Sequence, residues 1–163
     1  MHRRPPLSGA SLGTVGLPAL LVLSVLSVLL VLTGCTSAVE VRPYDGADSP
    51  ACQRVADAWP ATVGELQPRE VAVQSRGVAA WGDPAVIARC GAEPPGPTTE
   101  QCLDVAGVDW IAEELADGWR FTSYGRDPAV EVLVPQQHNP NALLLTAFNP
   151  AAESVPQGDR RCS

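Results

Sequence analysis

The second half of the chain alternates apolar and polar positions with the period of β-strands. Within 129–134, three valines lie on one face and Glu131 on the other. The dipeptides at 106–107 (Ala-Gly) and 117–118 (Asp-Gly) supply the short turns that hairpins need. The pattern predicts an antiparallel meander with strands at 85–89, 102–105, 108–113, 119–124 and 129–134, and a short edge strand at 71–74.

A helical period precedes these strands. Ser49-Pro50 supplies an N-cap and a proline suited to the first helical position. Four apolar residues then recur at helical spacing from Cys52 to Trp59. Pro60 ends the helix, because the residue before a proline is pushed out of the α region. We expect the apolar face of this helix, with Trp59, to pack in the core.

A second helix is predicted near the C-terminus. Apolar residues at helical spacing occupy 141–148, with Asn139 as a cap and Pro150 closing the helix. Helices and strands are then few enough for one layer of each. The predicted fold is α+β: a small antiparallel sheet of about four to five strands with two helices packed on one face, stapled by disulfides.

An apolar run at 17–32 stands before all of these elements and ends in Leu32-Thr33-Gly34-Cys35. Arg3 and Arg4 ahead of it complete the layout of a secretory signal. The run is short for a membrane span, which needs ~20 apolar residues. An aliphatic residue, two small residues and a cysteine are similar to a bacterial lipobox.

This motif assigns a covalent role to Cys35. Its thiol would receive a diacylglyceryl group, and the amine freed by cleavage would be acylated with a fatty acid such as palmitate. Two or more chains anchor a protein stably. A plain signal peptide and an uncleaved membrane helix are the alternatives. We therefore expect a signal peptide at 1–34, a lipidated tether at 35–47 and one α+β extracytoplasmic domain at 48–163.

The net charge of the mature chain limits the kinds of molecule that it can bind. Cleavage before Cys35 leaves 129 of the 163 residues, with 9 of the 11 basic residues against all 18 acidic ones, a net charge of −9. An acidic body argues against nucleic acid and against docking on anionic lipid headgroups. The membrane contact that we expect is therefore the covalent anchor alone.

Four cysteines follow Cys35, an even number that suits an oxidising compartment. Of the three pairings open to them, we favour Cys90–Cys102, which closes a proline-rich loop, together with Cys52–Cys162. On the chain-entropy view these bridges contribute ~3 and ~4–5 kcal/mol to stability. The competing zinc site lacks a CxxC pair and has a single histidine available, so no metal is predicted.

One constellation carries candidate ligand chemistry, and it comprises Trp81, Asp83, Arg89, Asp109, Tyr124 and Arg126. An aspartate and two arginines near aromatic rings bind a carboxylate, a phosphate or a glycan by bidentate hydrogen bonds and stacking. The alternative is an internal network, with Asp83 in a turn, Arg126 in an ion pair and the tryptophans in the core.

Residues for catalysis are harder to find. His138, the single imidazole after Cys35, lies in a polar turn with no strained serine beside it. Glu113 and Glu114 are adjacent, so on a strand they point to opposite faces and cannot converge on one substrate. We predict no catalytic residue and no cofactor.

Three stretches resemble a known family: AAWGDPAVIARCG, QCLDVAGVDWIAEE and FTSYGRDPAVEVLVP. In their sequence and in their order along the chain, they are similar to an uncharacterised actinobacterial lipoprotein family, the domain of unknown function 3515 family. The likeness covers residues 51 to about 134. It implies an envelope location and an actinobacterial source. It carries no assigned activity, so it gives no residue a catalytic role.

The sequence therefore predicts a cell-envelope lipoprotein on the outer face of the plasma membrane. The favoured role is a non-catalytic binding or accessory module whose partner is an envelope protein or a cell-wall component. The first alternative is an envelope enzyme or a small-ligand (anion or glycan) binder using Asp83, Arg89 and Arg126. A purely structural spacer is the second alternative.

Overall fold

The alternating segments pair into one antiparallel sheet. A computed structural model describes residues 37–138 and 142–163. The strands are β1 (Pro68–Arg69), β2 (Val78–Trp81), β3 (Val86–Ala92), β4 (Gln101–Val105), β5 (Val108–Leu115), β6 (Gly118–Ser123) and β7 (Ala129–Pro135), and the helices are α1 (Pro50–Asp57), α2 (Ala142–Leu145) and α3 (Asn149–Glu153). The strand order is β1-β2-β3-β7-β6-β5-β4, with every neighbouring pair antiparallel.

The prediction of an α+β fold with about four to five strands and two helices on one face is wrong. The described chain is mostly a seven-stranded sheet, and its helices are short. Strand β2 was not predicted, because its residues, Val-Ala-Ala-Trp, are apolar throughout and do not alternate with polar ones. The predicted edge strand at 71–74 also differs, since β1 lies at Pro68–Arg69 and Val71 forms only an isolated bridge to Val39.

Helix α1 is confirmed where the apolar period placed it. The Ser49 hydroxyl accepts a hydrogen bond from the Cys52 N–H at 3.3 Å, and a proline occupies the first turn. Cys52 and Val55 are buried on its inner face. Trp59 lies beyond the helix end, partly buried against the core.

The second predicted helix divides into short pieces. Helix α2 is followed by a 3-10 turn at Thr146–Phe148 and then by α3. Pro150 does not close the segment, because it lies in the first turn of α3, where a proline has no backbone bond to lose. The predicted cap, Asn139, lies outside the described residues.

The hairpins follow the turn signals. Ala106 and Gly107 both have positive φ, 51° and 90°, as a two-residue turn of the I′ type requires. Asp104 accepts a hydrogen bond from the Gly107 N–H at 3.2 Å. Gly118 is required by packing, because a Cβ there would lie 2.2 Å from the Val134 carbonyl oxygen.

One face of the sheet forms the hydrophobic core with the helices. The three valines of β7 are fully buried, as predicted, and they meet Phe121 of β6 and Ala88 of β3 in the same register. Trp81 packs edge-on against Phe148 with ring centroids 5.3 Å apart. We refer to this side as the core face and to the opposite side as the outer face.

All four cysteines after Cys35 are paired, but the favoured pairing is wrong. The bridges are Cys52–Cys90 and Cys102–Cys162. The register explains the error. Cys90 lies opposite Val130 on the core face, where it meets α1, whereas Cys102 lies opposite Ile111 on the outer face. A bond between Cys90 and Cys102 would have to pass through the sheet.

Residues 37–47, which the sequence assigned to the tether, pack against the domain. Val39 bridges to Val71, and the Ser37 carbonyl accepts a hydrogen bond from Arg69 at 2.9 Å. Ala47 is buried, and its backbone approaches Gly77 so closely that a Cβ at that glycine would lie 2.3 Å from the Ala47 carbonyl oxygen. The folded domain thus begins close behind position 35.

Candidate functional site

Charged side chains lie on the outer face rather than along an exposed edge. Arg89 of β3 is directly opposite Glu131 of β7, and Glu131 is opposite Thr122 of β6. One step along the strands, Arg120 of β6 is opposite Glu113 of β5. Cross-strand neighbours share a face and lie within reach of one another. The register therefore gathers two arginines and two glutamates at the centre of the sheet.

Glu131 is the focus of this group, although it is only 2% exposed. The Tyr44 hydroxyl donates to its Oε2 at 2.6 Å, and the Arg89 Nε donates to its Oε1 at 2.8 Å, with a second contact from Nη2 of Arg89. The Arg120 Nε lies 3.4 Å from Oε2, an ion-pair contact without hydrogen-bond geometry. The buried carboxylate is thus fully compensated, as burial of a charge requires.

Tyr44 closes this network from the segment before α1. Its ring lies under the Arg89 guanidinium, 4.4 Å from ring centroid to Cζ. Burial, and then the hydrogen bond to Glu131, raise the pKa of Tyr44 to about 12. The phenol therefore stays protonated and acts as a donor. We name Tyr44, Arg89, Arg120 and Glu131 the carboxylate network.

A cleft of about 430 Å³ lies above the carboxylate network, roofed by the proline-rich loop between β3 and β4. Its lining includes Pro95 and Pro97 from the loop, and Glu113, Thr122 and Glu131 from the sheet. The lining side chains offer carboxylate acceptors, the Arg120 guanidinium, hydroxyl groups and rigid proline rings. They do not include a serine, cysteine or histidine in a nucleophile–base arrangement.

A second polar site lies in the turn between β6 and β7. Arg126 is 5% exposed, and its Nη1 donates to the Val155 carbonyl of the C-terminal tail. Its Nε is buried without an acceptor, and among the described residues no carboxylate lies within 4.0 Å of its guanidinium. Burial lowers the pKa of Arg126 and the Arg161 charge adds to that shift, whereas the carboxylates of Glu153 and Asp109 oppose it.

The predicted ligand residues do not form one pocket. Trp81 is in the core, where its Nε1 donates to the Pro60 carbonyl at 3.1 Å. Asp83 is exposed in the turn before β3, 3.9 Å from Arg69. Arg89 belongs to the carboxylate network, and Arg126 lies past the other end of β3, so these charges have separate partners.

Asp109 and Tyr124 do lie near Arg126. Asp109 is buried, and its Oδ2 accepts a hydrogen bond from the Cys162 N–H at 3.2 Å. The Tyr124 N–H donates to the Asp109 carbonyl at 2.8 Å. Asp109 thereby fixes the C-terminal tail, and the tail in turn covers the Arg126 turn.

The sequence did not identify Glu131, Tyr44 or Arg120 as site residues. Glu131 was assigned to a face of its strand that alternation alone describes as polar and solvated. Arg89, which lies opposite Glu131 on the neighbouring strand, could have indicated a role for this glutamate. Recognising the pair requires knowing that β3 and β7 are neighbours in the sheet. Tyr44 lay in a segment with no period at all.

Comparison with known protein families finds a match over most of the chain. A family model described as "Protein of unknown function (DUF3515)" matches residues 15–157. The chain belongs to this family. No curated protein and no solved structure matches it. The DUF3515 match extends on both sides of the stretches at 79–91, 101–114 and 121–135 that carry the resemblance, and it contains the first three cysteines of the two bridges.

None of the helices between 37 and 163, leaving aside 139–141, is long and apolar enough to cross a membrane. Within the same residues, His, Cys, Asp and Glu form no group of three placed to hold a metal ion.

Proposed function

We propose that this DUF3515 protein is a membrane-anchored cell-envelope lipoprotein, acylated at Cys35, that acts as a non-catalytic binding or accessory module on the outer face of the plasma membrane. One observation carries the proposal. The two disulfides use every cysteine after Cys35, and Cys35 itself ends the apolar run with the small residues Thr33 and Gly34. Cys35 lies outside the described residues, so its role rests on the sequence.

The paired cysteines support an oxidising compartment. Disulfides persist in extracytoplasmic proteins and are rare in the reducing cytosol. Both bridges join elements far apart in the chain, at separations of 38 and 60 residues. Long closed loops are those that gain most from a cross-link. A domain built this way suits export before folding, followed by oxidation.

The surface supports a binding rather than a catalytic role. The polar cleft over the carboxylate network is lined by prolines, carboxylates, threonines and Arg120, and Glu131 already has its hydrogen-bond partners. A fully partnered carboxylate is poorly placed to serve as a general base. The favoured partner is an envelope protein or a cell-wall component.

Mass spectrometry of the native chain tests the anchor. We expect an N-terminal peptide that begins at Cys35 and carries a diacylglyceryl group and an additional acyl chain. The variant Cys35→Ser should keep both disulfides and lack the mass of the lipid, because the hydroxyl cannot accept the diacylglyceryl group. A native peptide that begins before residue 35, or an unmodified Cys35 thiol, would contradict the proposal.

Cross-linking in membranes tests the binding role separately. The wild-type chain should capture a defined envelope component that an unrelated domain carrying the same anchor does not capture. The alternative, an envelope enzyme or ligand binder using Asp83, Arg89 and Arg126 together, gains no support from their separate placement. Recovery of nothing beyond the anchor control would leave the structural spacer as the better account.

A further inference from the structure

Among the described residues, no carboxylate lies within 4.0 Å of the buried Arg126 guanidinium, although Glu153 and Asp109 act on its charge from further away. Arginine remains charged under all ordinary conditions, and burying a charge without a partner costs several kcal/mol. The Arg126 guanidinium has five N–H donors, of which one meets the Val155 carbonyl. Its Nε has no acceptor. Because Arg126 also lines a cleft, the remaining N–H donors of its guanidinium suit an anionic partner supplied from outside the chain.

A cleft of about 340 Å³ lies beside this side chain. It is lined by Pro94, Gly125, Arg126, Asp127, Gly158, Asp159 and Arg160. A water molecule takes up about 30 Å³ of liquid, so the cleft has room for a small solute with several waters.

Close backbone approach builds the wall of this cleft. The Gly158 N–H donates to the Gly125 carbonyl at 2.7 Å, and a Cβ at Gly125 would lie 2.2 Å from the Arg160 carbonyl oxygen. Cys162, two residues further on, is bonded to Cys102 at the start of β4. The tail is thus covalently held against the turn, and the cleft is formed before any ligand arrives.

The charged side chains at the mouth of the cleft favour a small anion over a polyanion. Arg160 is exposed there and lines the same cleft as Arg126, with its Nη1 3.5 Å from the Pro95 carbonyl oxygen. Asp127 and Asp159 are exposed too, and neither forms an ion pair with Arg126. Exposed carboxylates keep their hydration but repel a polyanion. The arrangement favours one small anionic group over an extended phosphate backbone.

We propose that this cleft is a binding site for a small carboxylate- or phosphate-bearing ligand, with Arg126 donating to the anionic oxygens from inside and Arg160 from the mouth. Guanidinium groups match the paired oxygens of both anions in a planar, bidentate way. The proposal concerns residues of the folded domain and does not depend on acylation of Cys35.

Calorimetric titration of the full chain in non-ionic detergent and Tris chloride tests the site. Inorganic phosphate and acetate are titrated as separate arms, so that a phosphate-bearing ligand is distinguished from a carboxylate-bearing one. We expect saturable binding of at least one anion with one site per chain. Absence of saturable binding of both anions at millimolar concentration would overturn the proposal.

Three variants locate the binding. Arg160→Ala should weaken it about tenfold, since one charge-assisted hydrogen bond contributes about 1.5 kcal/mol, whereas Arg161→Ala should weaken it clearly less, because Arg161 acts on Arg126 only through its charge. The two share net charge and neighbourhood, but Arg161 does not line the cleft. Arg126→Met should abolish binding, and if it fails to fold, the Arg160 and Arg161 pair decides. Equal weakening in that pair, or wild-type binding in folded Arg126→Met, would overturn the proposal.

Discussion

Glu131 and Arg126 are both buried charges, yet they differ in the number of hydrogen-bond and ion-pair partners that surround them. Glu131 receives a phenol, a guanidinium that contacts it twice and a second guanidinium at ion-pair distance. Arg126 receives one backbone carbonyl. The Glu131 carboxylate already has its partners, whereas the Arg126 guanidinium lines a cleft and can still bind an anion. Burial alone therefore does not distinguish a structural charge from a binding charge, but the count of satisfied donors and acceptors does.

The two regions also differ in how they are held. Arg89, Glu131 and Arg120 of the carboxylate network lie on the central strands β3, β7 and β6, where ladder hydrogen bonds fix the backbone that carries them. The Arg126 cleft depends on a tail without regular structure that the Cys102–Cys162 bridge and Asp109 hold in place. Local opening is easiest where backbone bonds are few. We expect the cleft to be the region more sensitive to the loss of a cross-link.

The largest effect is expected from removing that cross-link. The double variant Cys102→Ser/Cys162→Ser should lower the free energy of unfolding by about 4 kcal/mol on the chain-entropy model, and should weaken phosphate or acetate binding because the tail is released. Cys52→Ser/Cys90→Ser is the matched control, with a similar stability loss expected and anion affinity retained in the folded fraction. Denaturant unfolding and calorimetry measure both. Unchanged anion affinity without the Cys102–Cys162 bridge would refute the role of the tail.

Removing the central carboxylate should have the next largest effect. Glu131→Gln keeps the shape of the side chain but leaves Arg89 partly buried without a counter-ion, which we expect to cost about 3 kcal/mol in unfolding free energy. Chemical denaturation at neutral pH measures it. Anion binding at the Arg126 cleft should be unaffected. A loss below about 0.5 kcal/mol, typical of an exposed pair, would mean that Glu131 is not the focus of the network.

The sequence predicted the parts of this fold that depend on local pattern. Helix α1, the hairpin turns and the faces of β7 all follow from periodicity and turn chemistry within short windows. Strand β2 did not, because four apolar residues without alternation carry no period. The C-terminal helix at 141–148 was predicted from apolar spacing, with Asn139 as the cap and Pro150 as the stop, whereas the position of Pro150 within α3 depends on how the tail packs.

The site was less predictable because it depends on which strands are neighbours. Arg89 and Glu131 are 42 residues apart in the chain and meet only because β3 pairs with β7. The cysteine pairing was wrong for the same reason, since the face on which each thiol lies follows from strand register. Arg126 was recognised as candidate chemistry, but its partner Arg160 lies in a tail with no pattern to place it.

A smaller effect tests the phenol of the network. Tyr44→Phe should lower the unfolding free energy by about 1 kcal/mol, because one hydrogen bond to Glu131 is lost. The pKa of Tyr44 is raised from 10.0 to about 12. The stabilisation from its proton is therefore complete below pH 10 and is lost as the pH rises through about 12. The gap between wild type and variant should close over that range.

Ultraviolet titration provides an independent measurement of the same proton. The chain has two tyrosines, and the variant removes Tyr44 while leaving Tyr124. The component that ionises near pH 12 should be absent from Tyr44→Phe. A titration curve that loses its component near pH 10 instead would mean that Tyr44 is not held by Glu131.

The smallest effect is expected at the exposed end of the same face, and it calibrates the others. Glu113 pairs with Arg120 at 2.9 Å, but the two side chains are 44% and 38% exposed, against 3% for Glu131. An exposed pair contributes at most about 0.5 kcal/mol and is screened by salt. Glu113→Gln should therefore change the unfolding free energy by no more than that, and by less still in high salt. Because it makes the same chemical change as Glu131→Gln on the same face of the sheet, the difference between the two losses measures what burial adds to a carboxylate. Similar losses would show that the sheet face is solvated throughout, and the distinction between a structural and a binding buried charge would no longer hold.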